Sequence, residues 1–338
     1  MRPNVLIASY LDEELVTRIR SEVPEVEVIY EPELLPVPQY SCDHRGEQRE
    51  LTQQQQGRWQ EHLSSAEIMF DFDWWKPDLW GQNSPKLRWI QASSAGVGPR
   101  AQSLGHDEGT ITVTTAAGVH AKPLAEFALA GLLHFVRDIP GLEADKAAQR
   151  WTSGTRQTLA GRRALVIGAG SIGFEIARTL EFFGVTIDGT TRNGRVLDAP
   201  FAQSLALEEL ELGSYDIVVL ACPLTKETTG LFSRQRIAAM KPGALLVNVA
   251  RGPVLDQAAL IEALESGHLA GAVLDVATPE PLPTGNPLWA VPNLVLSPHN
   301  AANVDAENSR LVDLFIDNLR RYLAHEVLIN TYDPKAGY

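Results

Sequence analysis

Three glycines with a fixed spacing lie between an apolar run and a helical pattern. Residues 164–167 form the apolar run, which is short enough for a buried strand of a parallel sheet. Gly168, Gly170 and Gly173 then follow with the G-x-G-x-x-G spacing, and the helical pattern ends at Gly184. A second apolar run begins directly after that glycine. This strand–turn–helix–strand context predicts a dinucleotide-binding unit, whereas the glycines alone would be weak evidence.

Each glycine has a separate role in such a unit. Gly168 allows the tight turn, Gly170 lets the backbone approach a pyrophosphate, and Gly173 lets the helix pack closely on the strand. The helix begins with Ser171 and Ile172, where free amides and the positive end of the helix dipole face the phosphates. A glycine-rich turn in a different α/β fold is the alternative.

The composition excludes several classes of protein. A chain of 338 residues suggests about two domains, and 44% hydrophobic residues are enough for a core in each. The net charge of −13 argues against binding to nucleic acid, which needs a basic face, and against binding to anionic lipid. Cys42 and Cys222 have neither disulfide nor zinc-site spacing, so we expect no bound metal. Without a signal peptide or an apolar run of 18 residues, we expect a cytoplasmic protein that does not contact membranes.

Strand and helix patterns alternate along the chain, which predicts α/β domains. Beyond the glycine motif and its two strands, we predict strands at 5–8, 26–30, 68–72, 87–92, 111–115, 217–221, 244–249, 270–274 and 294–296, and helices at 12–23, 47–65, 122–137, 256–265 and 305–324. The 122–137 helix is apolar nearly all round, so we expect it to be buried on several sides. We interpret residues 138–159 as a polar linker. We interpret residues 32–65 as a surface segment of unknown role, called the excursion below. We expect the last helix to pack back on the first domain.

Three polar side chains each follow the end of a predicted strand. Arg251, Asp275 and His299 come just past three consecutive apolar runs, and Glu280 lies in a proline-rich loop after Asp275. In open α/β sheets, ligands bind in the crevice outside the carboxyl ends of the strands. We therefore expect these residues to converge on the dinucleotide.

Their chemistry suits hydride exchange at a carbon that bears oxygen. That oxygen gains or loses a proton, and histidine is the side chain that exchanges protons near neutral pH, which fits His299. A carboxylate beside it, for which Glu280 is the candidate, would orient the ring and support its protonated form. Arg251 suits a planar substrate carboxylate by bidentate pairing. Each residue also has a structural alternative, as a salt bridge, a loop cap or a turn residue, but their shared position at strand ends favours function.

The other histidines carry no such pattern. His120 and His134 border or lie in the apolar helix, and we interpret them as structural. We expect the remaining ones at the surface: His44, His62, His106, His268 and His325.

The whole set of motifs resembles the D-isomer-specific 2-hydroxyacid dehydrogenases, in particular the glyoxylate/hydroxypyruvate reductase-like branch. The resemblance covers nearly the whole chain. It is carried by residues 94–97, 118–121, 168–173, 222–228, 248–253, 274–276, 280–283, 287–289 and 297–300. It implies two Rossmann-like or flavodoxin-like doubly wound parallel-sheet domains with a cleft between them. The substrate-binding domain would comprise 1–117 and 302–338, and the dinucleotide-binding domain 118–301.

The resemblance also implies roles for residues. Arg251 would bind substrate and take part in catalysis, with His299 as acid/base and Glu280 as its partner. A nest of backbone amides at Ala95, Gly96 and Val97 would bind the substrate carboxylate. The implied cofactor-binding residues are Gly168, Gly170, Ser171, Ile172, Gly173, Thr191, Arg192, Cys222, Pro223, Thr228, Val249, Ala250 and Asp275, the last near the nicotinamide carboxamide. D-stereochemistry and a homodimer formed through the helix near residue 124 follow from the resemblance alone.

Several positions depart from the family pattern. Gly98 stands where the family often has Asp, and Asn300 where Ile or Thr is common; both would alter the substrate pocket. We expect no C-terminal regulatory domain, which disfavours the long, regulated phosphoglycerate dehydrogenases. Glu280 disfavours the formate dehydrogenases, which carry Gln there.

The second strand of the dinucleotide unit bears on the choice between NADP and NAD. An acid about 20 residues past the glycines normally binds the ribose hydroxyls, and Arg there accommodates a 2′-phosphate. Thr191 occupies the expected place, followed by Arg192 and Arg195. We therefore predict NADP(H) as the preferred cofactor. In the alternative alignment of this strand with the motif, Asp188 is the acid that binds the ribose, which would favour NAD(H).

Three functions compete. The first is reduction of a small 2-oxoacid, such as glyoxylate or hydroxypyruvate, to its D-2-hydroxyacid. The second is a nucleotide-sensing scaffold that resembles the corepressor relatives of the family, and the third is a phosphite dehydrogenase. The sequence leaves the substrate side chain and the physiological direction open.

Overall fold

The chain divides into two compact units. The computed structural model describes residues 2–75, 80–98, 111–191, 195–207 and 210–334. One unit comprises Met1–His120 with Asn303–Tyr338, and the other comprises Ala121–Ala302. The sequence placed these boundaries at 117/118 and 301/302.

The first unit is built on a five-stranded sheet. Its strands are β1 (Asn4–Ile7), β2 (Glu27–Ile29), β3 (Ile68–Phe70), β4 (Trp89–Gln91) and β5 (Thr112–Thr114). Their order is β2-β1-β3-β4-β5, and all four pairings are parallel. The helices that the structure describes within residues 2–75, 80–98 and 111–120 are α1 (Glu13–Glu22), α2 (Gln53–Ser65) and α3 (Trp80–Asn83).

The second unit contains a seven-stranded sheet. Its strands are β6 (Arg163–Ile167), β7 (Thr186–Thr190), β8 (Phe201–Leu205), β9 (Ile217–Leu220), β10 (Leu245–Asn248), β11 (Gly271–Leu274) and β12 (Leu294–Leu296). The helices are α4 (Ala121–Val136), α5 (Ile139–Ala147), α6 (Ser171–Phe182), α7 (Arg234–Ala238) and α8 (Gln257–Glu265). The order β12-β11-β10-β9-β6-β7-β8 is parallel at every pairing.

Both units confirm the predicted class of parallel-sheet α/β domains. All residues of β9, β10 and β11 are buried. Strands covered on both faces by helices consist of continuous apolar runs, which is why the sequence pattern identified them.

The apolar helix predicted at 122–137 is α4, which packs against α6 and β11. A Cβ added at Gly131 would lie 2.4 Å from a Val273 methyl group, so the helix approaches the sheet closely at that point. Eight of its sixteen residues are buried in this unit, whereas Phe127, Leu129, Leu133 and Phe135 stay partly exposed, so only part of its apolar surface is covered there.

The last helix, α9 (Glu307–Leu323), returns to the first unit, as the sequence predicted. It packs against α1. Phe315 is fully buried, with its ring centroid 5.2 Å from that of Phe70 and 5.4 Å from that of Trp89. Helix α9 thus completes the hydrophobic core of the sheet whose strands lie earlier in the chain.

Four local predictions were wrong. The link at 138–159 contains α5, and the helix expected from residue 47 begins only at Gln53. Strand β8 and helix α7 were not expected.

His44 is buried rather than at the surface. Its side chain is only 7% exposed, and its Nδ1 lies 3.0 Å from the Ser9 Oγ. The loop that carries it is closed by an antiparallel bridge between Val37 and Glu47, and the Asn308 amide donates a 2.6 Å hydrogen bond to Ser41 O. Part of the excursion is therefore anchored in the first unit by a buried polar network.

Among the described residues, no helix has the length and apolar character needed to cross a membrane.

Candidate functional site

The glycine turn between β6 and α6 is held by close backbone contacts. Gly168 has a φ of +100°, and a Cβ there would lie 2.6 Å from Cys222 Cα. A Cβ on Gly173 would lie 2.1 Å from Gly168 O. By contrast, a Cβ on Gly170 would meet nothing within 4 Å. Close packing thus requires glycine at positions 168 and 173, whereas Gly170 borders open space, as a turn that binds a pyrophosphate needs.

Strand β7 ends directly beside this turn. Gly168 N donates a 3.3 Å hydrogen bond to Thr190 Oγ1, and Ala169 N donates one of 3.1 Å to Thr190 O. Thr191 is the first residue past the strand, and its hydroxyl donates to Arg195 O at 3.3 Å. Arg192 lies outside the described residues.

Asp188, the alternative candidate for the acid that binds the ribose, is hydrogen-bonded inside the second unit. Asp188 is 1% exposed, and its Oδ2 accepts hydrogen bonds of 2.8 Å from Arg163 Nη2 and 2.9 Å from the Tyr215 hydroxyl. Burial, followed by the hydrogen bond to Asp188, raises the pKa of Tyr215 to about 12. The phenol therefore stays a donor to this carboxylate.

A small cavity of about 120 Å³ lies near the end of β7 in the same unit. Its lining residues are Ala169, Phe174, Arg195, Val196, Leu197, Asp198 and Phe201.

The loops after β9 and β10 are fixed by internal contacts. Cys222 is buried, and burial raises the pKa of its thiol to about 11, so it is a neutral packing group near pH 7. Thr228 Oγ1 donates to Pro223 O at 2.6 Å and shapes the loop between them. Val249 and Ala250 are buried directly after β10.

Arg251 follows these residues and is half-buried. Its Nη1 donates a 2.7 Å hydrogen bond to Ala250 O. Burial lowers the pKa of the guanidinium, and the negative charges of Glu280 and Asp275 counteract this effect. Arg251 therefore lies in the electrostatic field of both carboxylates, which brings together residues far apart in sequence.

Asp275 organises the loop that follows β12. Its Oδ1 accepts hydrogen bonds from the Ser297 hydroxyl at 2.7 Å and from Ala301 N at 3.0 Å. Its carbonyl oxygen accepts one from His299 N at 2.8 Å. Asp275 thus holds the residues on both sides of His299 as well as His299 itself.

His299 and Glu280 are in direct contact. His299 Nδ1 lies 2.7 Å from Glu280 Oε2, and the other Glu280 oxygen accepts a 2.9 Å hydrogen bond from Ala277 N. The contact leaves His299 Nε2 as the nitrogen available for proton exchange. The sequence predicted this pairing from the positions of the two residues.

The expected carboxylate nest lies in the first unit, after β4. Ala95 is half-buried, Gly96 exposed and Val97 2% exposed. The start of this segment is tied to the strand ends, because Ser93 N donates to Asp71 Oδ1 at 3.4 Å and Ala116 N donates to Ser94 O at 3.0 Å.

The second unit fits a dinucleotide. The carboxyl ends of β6, β9, β10, β11 and β12 share one edge of its sheet, and the glycine turn, Arg251, Asp275 and His299 all follow strands at this edge. The N-cap of α6 is Gly170, so no side chain covers the first amides of that helix. Within the described ranges, no group of three or more His, Cys, Asp or Glu side chains is arranged to hold a metal ion.

A family model matches residues 129–301, about half of the chain; it describes the NAD binding domain of the D-isomer specific 2-hydroxyacid dehydrogenases. The chain belongs to this family. Its enzyme class is therefore that of the NAD(P)-dependent D-2-hydroxyacid dehydrogenases. A glyoxylate reductase of Thermofilum pendens is 36% identical over 259 residues, which are 72% of this chain and 74% of the relative.

Solved structures of the family resemble the chain over its whole length. A D-isomer specific 2-hydroxyacid dehydrogenase family protein of Aeromonas salmonicida matches with a TM-score of 0.79 and 28% identity, covering 98% of this chain and 99% of that one. A family member of Xanthobacter autotrophicus, solved in complex with NADPH and MES, matches with a TM-score of 0.78 and 29% identity over 100% of both chains.

Sequence reasoning missed two residues whose hydrogen bonds hold parts of the candidate site. Ser297 bonds to Asp275, and Gln257 bonds to the loop that carries Glu280. Ser297 belongs to a motif that the resemblance included, but its partner is 22 residues away. Gln257 gives no signal, because a Gln in the first turn of a helix is ordinarily solvated.

Proposed function

We propose that this dehydrogenase reduces a small 2-oxoacid, such as glyoxylate or hydroxypyruvate, to its D-2-hydroxyacid. The observation that carries the proposal is the 2.7 Å contact between His299 Nδ1 and Glu280 Oε2, in the field that Glu280 and Asp275 share with Arg251. The similarity to a glyoxylate reductase supports a small substrate.

The roles of the side chains follow from their chemistry. When bound, NAD(P)H would supply the hydride that reduces the carbonyl carbon. Arg251 holds the substrate carboxylate and carbonyl with its free N–H groups, because a guanidinium pairs with planar oxygen groups in a bidentate way. His299 gives a proton from Nε2 to the carbonyl oxygen, and Glu280 stabilises the protonated ring before the transfer. We also propose that the amides of Ala95, Gly96 and Val97 bind the substrate carboxylate.

The test of this assignment is turnover by a His299→Gln variant. Loss of a general acid costs roughly 10²–10⁴-fold in rate, so kcat should fall by that amount for a 2-oxoacid that the wild type reduces. The dissociation constant of the cofactor, measured by fluorescence titration, should barely change. Near-normal turnover would refute the role of His299. A wild-type protein that binds cofactor but reduces no member of a 2-oxoacid panel would point to a sensing scaffold. A wild-type protein that oxidises phosphite would point to a phosphite dehydrogenase.

We propose NADP(H) as the preferred cofactor. The engagement of Asp188 with Arg163 and Tyr215 supports this, because a buried and paired carboxylate is not free to bind ribose hydroxyls. We assign Thr191, Arg192 and Arg195 to the 2′-phosphate.

The cofactor proposal predicts a higher kcat/KM with NADPH than with NADH. Replacing Thr191 with Asp places a negative charge beside the phosphate, so the Thr191→Asp variant should lose efficiency with NADPH while keeping that with NADH. Arg192→Ala should also weaken only the NADPH reaction. A wild-type preference for NADH that Arg192→Ala leaves unchanged would contradict the proposal.

We also propose a homodimer formed through the region of α4 and α5. Ile139 and Leu142 on α5 are 39% and 46% exposed, and Trp151 shortly after it is 100% exposed. Large apolar side chains left exposed in one short stretch of the chain support an interface there. Sedimentation equilibrium should give twice the chain mass, and a monomer at micromolar concentration would contradict the proposal.

A further inference from the structure

The loop that carries Glu280 is bound to the first turn of α8 by a two-fold contact. Gln257 Nε2 donates a 2.9 Å hydrogen bond to Thr278 O, and Thr278 N donates one of 2.8 Å to Gln257 Oε1. A glutamine amide offers a donor and an acceptor side by side, so it matches both polar groups of one residue. No other uncharged side chain except asparagine, which is shorter, does this.

The same loop is also held by a close contact with Gly252, the residue after Arg251. A Cβ added at Gly252 would lie 2.0 Å from Ala277 O and 2.4 Å from Thr278 Oγ1. The loop therefore lies directly against the backbone that follows Arg251. The Gly252 contact sets how close the loop comes, and the Gln257 contact sets its orientation.

Glu280 depends on this loop for its own position. Ala277 N, one residue before Thr278, donates to Glu280 Oε1, while Glu280 Oε2 contacts His299 Nδ1. The glutamate thus bridges the loop backbone and the imidazole. A shift of the Thr278 peptide would move Ala277 N and with it the carboxylate.

We propose that Gln257 is a positioning residue of the reaction, which acts on His299 through the loop at 277–280 and through Glu280. The proposal rests on the proposed function of the His299–Glu280 pair. Gln257 itself touches neither member of that pair through any bond that the structure describes. Because an error of about 1 Å in a catalytic group can cost up to about 100-fold in rate, loss of this contact should be visible in turnover.

The experiment compares Gln257→Ala with wild type in 2-oxoacid reduction. We expect kcat to fall at least about 10-fold, with the KM for cofactor within about two-fold. Glu265→Ala, an exposed residue at the other end of α8, is the matched control and should behave as wild type.

A double-mutant cycle separates positioning from a general structural effect. If Gln257 acts through Glu280, then Gln257→Ala should add little to Glu280→Gln, and the two rate losses should not multiply. Multiplicative losses would overturn the proposal. If the alanine variant is unstable, Gln257→Glu replaces it: this variant keeps an acceptor for Thr278 N but sets its other oxygen against Thr278 O, so it should also lower kcat.

A readout without turnover distinguishes this inference from the proposed function. The distance between His299 Nδ1 and Glu280 Oε2 can be measured in crystal structures of wild type and Gln257→Ala. We expect the 2.7 Å contact of the wild type to be lost in the variant. A retained contact overturns the inference whatever the enzyme reduces, whereas a lost contact without any 2-oxoacid turnover overturns only the proposed function.

Discussion

His299 occupies an unusual backbone conformation for a side chain of its size. Its φ is +57°, in the left-handed region that few residues other than glycine adopt. The hydrogen bond from its amide to Asp275 O, with the two bonds to Asp275 Oδ1 from its neighbours, maintains this conformation. Backbone strain of about 1–3 kcal/mol is tolerated at a functional site when surrounding bonds impose it. Asp275 thus contributes to the position of His299 in addition to its expected contact with the cofactor.

For single residues, a prediction concerns the role of Arg251 in substrate binding. Lysine would keep the positive charge but lose the planar pair of donors, so Arg251→Lys should raise the KM for the 2-oxoacid. A hydrogen bond to a charged group contributes about 1.5–3 kcal/mol, which corresponds to roughly 10- to 100-fold in KM. Cofactor affinity, measured in the same preparations, should stay unchanged. An unaltered KM would show that the guanidinium does not bind substrate.

The turn between β6 and α6 gives the prediction at the scale of elements. Gly173→Ala should destabilise the protein by about 1–3 kcal/mol, because its methyl group meets the Gly168 carbonyl. Gly170→Ala should fold normally, since its methyl group enters open space, but should weaken cofactor binding by blocking the approach of the pyrophosphate.

Urea unfolding and cofactor titration on the same two variants test this contrast. Gly57→Ala in α2 is a control, because a methyl group there also meets nothing within 4 Å and lies far along the sequence from the turn. It should leave cofactor affinity unchanged and raise stability by about 0.5–1 kcal/mol. Equal cofactor affinity in Gly170→Ala and wild type would show that this glycine does not face the pyrophosphate.

The sequence predicted the elements whose apolar pattern reflects their burial. The runs that became β9, β10 and β11 are buried throughout, so their pattern is unambiguous. Helix α5 buries no residue and contains Pro140 near its start, so it has no apolar periodicity to detect. Edge strand β8 buries only its first residue, Phe201, and was missed for the same reason.

The site was predictable to the extent that its residues follow strands. His299 and Glu280 could be paired because strand ends in a parallel sheet meet at one edge. The burial of His44 was not predictable, because it depends on a contact with Ser9, 35 positions away, from a loop rich in proline. Gln257 was missed because its partner is a backbone group, which every residue possesses.

At the scale of the whole molecule, the polar network around His44 makes stability depend on pH. Burial lowers the pKa of His44 from its usual 6.5; the negative charges of Asp71 and Glu307 and a hydrogen bond with Asn308 oppose this, and His120 reinforces it. Above pH 6.5 the ring is neutral in both folded and unfolded chains. Below it, the unfolded chain takes up a proton that the folded chain does not, so the free energy of unfolding falls with pH until the folded pKa is reached.

A His44→Gln variant should lose this part of the pH dependence. Urea unfolding at a series of pH values from 7.5 downward measures it, and the difference between wild type and variant should shrink as the pH falls below 6.5. A constant difference over that range would show that His44 does not titrate differently in the two states. Glutamine can still bond to Ser9, so the variant should fold.

The two units differ in how they use the chain, and this has a consequence during synthesis. Ala121–Ala302 is continuous in sequence, whereas the first unit needs α9 to cover Phe70 and Trp89. When residue 302 has emerged from the ribosome, all residues of the second unit are available for folding. The first unit, although most of it was made earlier, still exposes aromatic side chains at that moment. Chaperones that act on the nascent chain would therefore find binding sites at Phe70 and Trp89 until α9 has been made.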